Sequence, residues 1–394
     1  MKTKTVLTFL LIATATAIQA QNASSFTLQG NIEGLQEGDT LIIAEYTLPE
    51  WTKEKQDTLI VQQANAFSLT FPVEHTTYLS LMHFPKTGKP LPSSKMALSF
   101  LARPADKLTL TGTIDYFVLA EIEGGFYNNP LVQQENSLER EYDKVGIDII
   151  RNMERARINE QKDSVQFYGQ QYNTRRRPEQ MRVISDSLTY NTHDTEYAAF
   201  EFLKDNFRWN FSEGMQRYEK FNDEVKESYI GRKVKELIQK KEKLEVGNTP
   251  PDFIVITTTG VERTLSSYKG KHLLLYYWGM CPGSIQLSPQ LTEFYKTYHQ
   301  QGLEVLSITK DDPLKSQPQL KENPRTWDRF KDFLNPIWEV VYEVEHDNAK
   351  IGSDYIFNVL PTVMLISPEG ITLFRSYNDY AGLEKAFLDS LNKK

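Results

Sequence analysis

The only cysteine of this 394-residue chain, Cys281, lies where the sequence changes from a strand pattern to a helix pattern. An apolar and aromatic run, residues 273–278, ends just before it, and Pro282 and Gly283 follow it. At a helix N-terminus, the free backbone N–H groups and the helix dipole favour a thiolate, the nucleophilic form of cysteine. The hydroxyl of Ser284 is spaced to donate a hydrogen bond to that sulfur. We therefore interpret Cys281 as a candidate reactive thiol.

A single thiol restricts the chemistry that the chain can perform. Its thiolate can attack a disulfide of another protein and form a mixed disulfide. A second thiol in the same chain would release the product intramolecularly, with an effective concentration of roughly 10⁵ M or more in favourable systems. Without it, release depends on an external thiol or on a second thiol in the substrate. The pattern favours exchange, slow reduction or capture of partners; an inert thiol in a scaffold kept for binding is the alternative.

The N-terminus has the pattern of a targeting signal. Lys2 and Lys4 precede an apolar and small-residue run, residues 6–17, and Ala20 offers a small residue at a cleavage point. This run is shorter than the about 20 residues that a membrane-spanning helix needs. We therefore expect residues 1–20 to be a signal peptide and the mature protein to be exported, without a transmembrane span.

Composition and motifs exclude several classes of function. The net charge of −7 argues against nucleic acid as a partner, because neutralising phosphates requires a basic face. The six histidines are scattered without the spacing of metal ligands, and no glycine-rich phosphate loop is present. We therefore expect no metal and no cofactor.

Hydrophobic periodicity divides the mature chain into three segments. Residues 22–124 alternate apolar and polar positions in short runs, which predicts an antiparallel β-sandwich. Residues 125–246 have a helical period and end in a linker. Residues 247–394 alternate strand and helix patterns, which predicts an α/β domain. The thiol lies at the end of the predicted central strand of this third segment.

Four stretches of the third segment match a known pattern: Gly247 with residues 251–253, residues 265–271, residues 278–289, and residues 360–362 followed by an apolar strand and residues 368–370. With these stretches, residues 247–394 resemble the TlpA/ResA type of exported thioredoxin-like domain, which overlaps the AhpC/TSA group. The two preceding segments resemble a domain of unknown function that often precedes such domains in envelope proteins of Gram-negative bacteria. The resemblance implies a thioredoxin-like fold for the C-terminal part.

The resemblance also implies roles for particular residues. The active-site turn of the family usually reads Trp-x-x-Trp-Cys-x-x-Cys, so Ser284 replaces the second cysteine, and Pro361 is expected to be a cis-proline. The implied partners are exported proteins with thiols or disulfides and an external thiol reductant. The motif of a peroxidatic cysteine is absent, which disfavours peroxidase chemistry. The expected catalytic residues are Cys281, Ser284 and Pro361, and the expected substrate-docking residues are Trp278, Pro282, Gly283, Leu360 and Thr362.

Overall fold

The computed structural model describes residues 24–392, apart from 94, 311 and 323. The predicted signal peptide therefore lies outside the described residues. The chain divides into two compact units. Among the described residues, the first contains 24–205 together with 217–234, and the second contains 206–216 and 235–392.

The first unit begins with two four-stranded sheets, whose orders are β4-β1-β7-β8 and β3-β2-β5-β6. Their strands are β1 (Ser25–Glu33), β2 (Thr40–Tyr46), β3 (Lys53–Ile60), β4 (Ala66–Pro72), β5 (Thr77–Phe84), β6 (Leu98–Ala102), β7 (Lys107–Thr113) and β8 (Glu121–Glu123). Side chains alternate between buried and exposed along β1 and β4, as expected for strands with one face on a core.

The two sheets bury their apolar faces against each other. Phe26 of β1 is fully buried, and its ring meets that of Phe100 of β6 edge-to-face at 6.0 Å between centroids. The predicted sandwich is confirmed, with one correction: β1 and β7 pair in parallel, whereas the other neighbouring strands of the two sheets are antiparallel. Alternation of residue types does not reveal strand direction, so the sequence could not indicate this pair.

Helices follow the sheets, as the change of period predicts. The first begins at Pro130, whose missing N–H is not needed at that position, and Asn129 caps it by accepting from the Leu131 N–H at 2.9 Å. The helices are α1 (Pro130–Ile158), α2 (Lys162–Asn173), α3 (Glu179–Asp186), α4 (Glu196–Lys204), α5 (Phe211–Lys220), α6 (Asp223–Glu227) and α7 (Tyr229–Leu244). Of the three boundaries between the two units, the first follows residue 205, and the other two fall within α5 and α7.

The second unit contains a five-stranded sheet of order β13-β12-β11-β14-β15 and a hairpin of β9 and β10. Strands β11, β12 and β13 are parallel to one another, and β14 and β15 continue the sheet antiparallel. The strands are β9 (Ile254–Ile256), β10 (Glu262–Thr264), β11 (His272–Tyr277), β12 (Leu303–Thr309), β13 (Glu339–Tyr342), β14 (Thr362–Ile366) and β15 (Thr372–Tyr377).

Helices accompany this sheet, and apolar cores cover both of its faces. They are α8 (Pro282–Tyr298), α9 (Pro313–Ser316), α10 (Gln319–Glu322), α11 (Pro324–Leu334), α12 (Ala349–Asp354) and α13 (Tyr380–Leu391). Every residue of β11 is buried: its odd-numbered residues from 273 belong to one core and its even-numbered residues from 274 to the other. The predicted thioredoxin-like α/β fold of the C-terminal part is confirmed.

Candidate thiol site at the end of the central strand

Cys281 is the N-cap residue of α8, four positions after the last residue of β11. Its backbone is extended, with φ −123° and ψ 156°, and its carbonyl accepts the Ile285 N–H at 3.1 Å as the helix begins. Pro282 occupies the first helical position, where its fixed φ suits the helix and no N–H is required. The strand–turn–helix arrangement predicted for this cysteine is therefore present.

Two donors of one residue surround the Cys281 sulfur. The Ser284 N–H donates to Sγ with 3.5 Å between nitrogen and sulfur, and the Ser284 Oγ lies 3.2 Å from Sγ. Cys281 itself is partly exposed, whereas Ser284 is completely buried. The residue that carries the thiol is thus partly open to solvent, and its sulfur contacts the N–H and hydroxyl of a buried serine, which can stabilise negative charge on it.

A backbone contact fixes the hydroxyl of Ser284 beside the sulfur. Its Oγ accepts the Gly279 N–H at 3.3 Å, and its proton is available to donate to Cys281 when the sulfur is a thiolate, which has no proton of its own. Its carbonyl accepts the Tyr276 hydroxyl at 3.1 Å, and burial raises the pKa of Tyr276, which keeps that group a donor. Backbone and strand therefore hold the serine in place beside Cys281.

The loop before β14 packs on the turn that carries the thiol. The Leu360–Pro361 peptide bond is cis, as the resemblance implies. A Cβ added to Gly283 would lie 2.9 Å from Pro361 Cδ, and one added to Gly279 would lie 2.8 Å from Leu360 Cδ1. Only glycine fits both positions without movement of the neighbour, so the two loops approach as closely as backbone permits.

The AhpC/TSA family model matches residues 246–373, the part of the chain that carries this site. Thiol-disulfide oxidoreductase ResA of Geobacillus kaustophilus (strain HTA426) is 33% identical over 131 residues, covering 33% of this chain and 68% of that protein. ResA of Geobacillus thermodenitrificans (strain NG80-2) is 35% identical over the same length, with the same shares of the two chains. The chain belongs to the AhpC/TSA family.

Among solved structures, that of a putative thiol:disulfide interchange protein DsbE from Chlorobium tepidum is similar, with 22% identity and a TM-score of 0.30. The alignment covers 38% of this chain and 99% of that chain. The family match, residues 246–373, lies in the C-terminal part of this AhpC/TSA family member, and its first unit lies outside that match.

The predicted docking residues of this AhpC/TSA family member fall into two groups. Pro282 is exposed, and Gly283 and Leu360 are partly exposed beside the thiol, so an incoming polypeptide can reach them. Trp278 is only 2% exposed and packs edge-to-face on Phe333, with 4.8 Å between ring centroids. This burial contradicts docking by the Trp278 side chain, which belongs instead to one of the two apolar cores of the sheet.

Thr362 is also buried, at 6% exposure, and its Oγ1 donates to the Val359 carbonyl at 2.6 Å. Its side chain stabilises the loop before β14 and is not presented to a substrate, which corrects its predicted docking role. The sequence did not single out Asn378, which also holds this loop: its backbone N–H donates to the Pro361 carbonyl at 3.2 Å. Its only signal in the sequence was its place after the strand at residues 372–377.

In the described part of the chain, no cluster of three or more His, Cys, Asp or Glu side chains is arranged to hold a metal ion. None of the helices described has the length and apolar character needed to cross a membrane.

Proposed function

We propose that this AhpC/TSA family member is an exported protein that performs thiol–disulfide exchange with Cys281 as its sole nucleophile. One observation carries the proposal: Cys281 is partly exposed at the start of α8, and its sulfur lies 3.2 Å from the Ser284 hydroxyl. An inert structural cysteine would be enclosed by apolar groups and would not need such donors. Identity to thiol-disulfide oxidoreductases supports the same chemistry.

The first step joins the protein to its substrate. The Cys281 thiolate attacks one sulfur of a substrate disulfide; the new S–S bond forms as the old one breaks, and the leaving thiolate takes a proton from solvent. The disulfide count is unchanged in this step. The Ser284 hydroxyl and N–H stabilise the thiolate before attack and again when Cys281 becomes the leaving group.

The second step depends on a thiol from outside the chain. In isomerisation, a second thiolate of the substrate attacks the substrate sulfur of the mixed disulfide. A new disulfide forms within the substrate and the Cys281 thiolate is restored, with no net oxidation. In reduction, an external thiol performs the release, and two external thiols supply the two electrons. Ser284 cannot form a disulfide, so neither route is completed within this protein.

The surface around the sulfur is the proposed docking site for the substrate. Pro282, Gly283 and Leu360 border it, and Pro361 holds the second loop against the first. The proposed substrates are exported proteins with thiols or disulfides in the periplasm or cell envelope. Residues 1–20 would direct export, and the β-sandwich and helical segments, residues 22–124 and 125–246, would select or position partners.

The direct test uses the purified chain and a peptide whose cysteine is activated as a thiopyridyl disulfide. Wild-type protein should release one equivalent of thiopyridone and form a peptide adduct that a reducing agent removes. Cys281→Ala should do neither. In cells, wild type should form reducible covalent complexes that the Cys281→Ala variant lacks.

A second function is favoured by one feature, the serine in place of a second thiol. On this reading, the fold is a redox-inactive binding module of the cell envelope. Cys281→Ala would then bind the same partners as wild type, and no covalent complex would form with either protein. That result would replace the exchange proposal.

A further inference from the structure

A cavity of about 630 Å³ lies within the second unit, next to the loop that carries the cis-proline. Val359 and Thr362 line it on that side, and Tyr377, the partner of Thr362 across β14 and β15, continues the wall. More of the lining comes from residues 207–210, 213, 241 and 244–246. Of these residues, only the last lies within the family match.

Two cations line the cavity without a carboxylate partner. The Lys241 Nζ donates to the carbonyls of Asn206 and Trp209, both at 2.7 Å, and lies 4.5 Å from the centroid of the Trp209 ring, which leaves one of its three protons without a hydrogen-bond acceptor among the described residues. The Arg375 guanidinium donates to the Tyr355 and Ile356 carbonyls at 2.7 and 3.1 Å. Within the part of the chain that the structure describes, neither cation forms an ion pair.

The carboxylates of the cavity are already engaged elsewhere. Glu213 Oε2 accepts the Asn210 N–H at 2.9 Å, and Glu245 Oε1 accepts the Phe211 N–H at 3.1 Å. Both carboxylates thus serve the N-terminal end of α5, where the free N–H groups need acceptors. The charges of Glu213 and Glu245 also act on Lys241, and that of Glu245 acts on Arg375, but within the described part of the chain neither carboxylate lies within ion-pair distance of these two cations.

Burial makes the two cations costly in the absence of an anion. It lowers the pKa of Lys241 to about 8, with the charge of Arg375 as the next cause, and it lowers the pKa of Arg375 to about 10. An anion in the cavity would oppose both effects. The rim is apolar and open, because Phe207, Val246 and Tyr377 are each more than half exposed.

We infer that this cavity receives a segment of the substrate polypeptide that carries an acidic side chain near the reacting sulfur. The inference rests on the proposed function. A polypeptide fits better than a free small acid, because the cavity adjoins the cis-proline loop and has an exposed apolar rim that a chain can cover. Burial of that rim and pairing with two desolvated cations would both favour binding.

The experiment compares two activated peptides with the same cysteine, one with glutamates beside it and one with glutamines there. With the full chain, the acidic peptide should react about fivefold faster, the effect of one partly exposed ion pair. Lys241→Met and Arg375→Met should reduce that preference, and Lys385→Gln, which removes an exposed charge elsewhere in the unit, should keep it. Added salt of about 0.5 M should weaken the preference.

Two further variants test the rim without removing the buried hydrogen bonds. Phe207→Ser and Tyr377→Ser replace exposed rings, and each should slow the acidic peptide at least about twofold, because apolar contact area is lost. They keep the test valid if Lys241→Met or Arg375→Met does not fold. Binding is also measured on Cys281→Ser by fluorescence anisotropy of labelled peptides with serine in place of cysteine, where the acidic one should again bind more tightly.

The outcomes separate the two proposals. Equal reaction rates for both peptides would overturn this inference and leave thiol exchange in place. No reaction with either peptide, together with tighter binding of the acidic serine peptide, would overturn the exchange proposal alone. Glutarate that binds as tightly as the acidic peptide would show recognition of a free acid and would also overturn the inference.

Discussion

The Ser284 hydroxyl oxygen lies 3.2 Å from the Cys281 sulfur and at the same time accepts the Gly279 N–H at 3.3 Å. The serine is thereby both fixed by the turn and directed at the thiol. In the family pattern, this position holds the second thiol. The Ser284 oxygen thus occupies the place where a second cysteine could attack the mixed disulfide, although an oxygen there cannot form a disulfide.

Ser284→Ala should slow the reaction of Cys281 with iodoacetamide at pH 7 by about tenfold, because a hydrogen bond to a charged group contributes roughly 1.5 kcal/mol. Alkylation followed by mass spectrometry measures the rate. Ser288→Ala is the matched control, since Ser288 is also buried in α8 and lies one turn further along. Equal rates in wild type and Ser284→Ala would show that the hydroxyl does not stabilise the thiolate.

Ser284→Cys should convert the protein into one that completes its own cycle. A thiol at this position would resolve a mixed disulfide intramolecularly, and we expect its lifetime to fall by a factor on the order of 10² or more. Stopped-flow measurement of peptide release gives the rate. Ser266→Cys, which places a second thiol at an exposed position outside the site, should leave the lifetime unchanged. A long-lived adduct in Ser284→Cys would contradict the proposed geometry.

Gly283→Ala should displace the cis-proline loop, because the new Cβ would lie 2.9 Å from Pro361 Cδ, an atom of a rigid ring. We expect destabilisation of about 1–3 kcal/mol and slower formation of the mixed disulfide. Gly279→Ala is the informative comparison, since its Cβ would meet Leu360 Cδ1 at 2.8 Å, and that side chain can rotate. Urea unfolding of both variants checks the difference; equal losses would mean that Pro361 yields as readily as Leu360.

Glu135 predicts a pH dependence of stability in the first unit. Burial, together with the charge of Glu201, raises the pKa of this carboxyl from 4.5 to about 8. Between these two values the folded state holds a proton that the unfolded state has lost, so the free energy of unfolding decreases as pH rises from about 4.5 to about 8. The free energy of unfolding should fall by a few kcal/mol over this range, because each unit of pKa difference corresponds to about 1.4 kcal/mol.

Glu135→Gln should remove most of this dependence and stabilise the protein at pH 8. Thermal unfolding of wild type and variant at several pH values between 4.5 and 8 measures it. Glu154→Gln, on the exposed part of the same helix, should follow wild type. A wild-type stability that is flat across this range would contradict a buried neutral carboxyl at position 135.

The sequence predicts the thiol site well because its determinants are local. An apolar run, a glycine–proline turn and an amphipathic stretch place Cys281 at the start of a helix, and each pattern depends on neighbouring residues. The burial of Trp278 could not be read from its type, since tryptophan suits both a core and a docking surface. Its contact with Phe333 joins residues far apart in the chain.

Long-range contacts also explain what the sequence left out. The parallel pairing of β1 with β7 and the cavity beside the cis-proline loop both depend on segments brought together by the fold. Lys241 and Arg375 are separated by more than a hundred residues, and each looks like an ordinary surface cation in sequence. Only their positions show that both are partly buried beside the same cavity.

The serine beside the thiol has a consequence for timing. If Cys281 captures a partner, the protein has no group of its own that sets the rate of release. That rate then depends on the concentration of thiols around the protein. The captured fraction would then rise in an oxidising surrounding and fall in a reducing one. In that case the abundance of the covalent complex would report the redox state of the compartment.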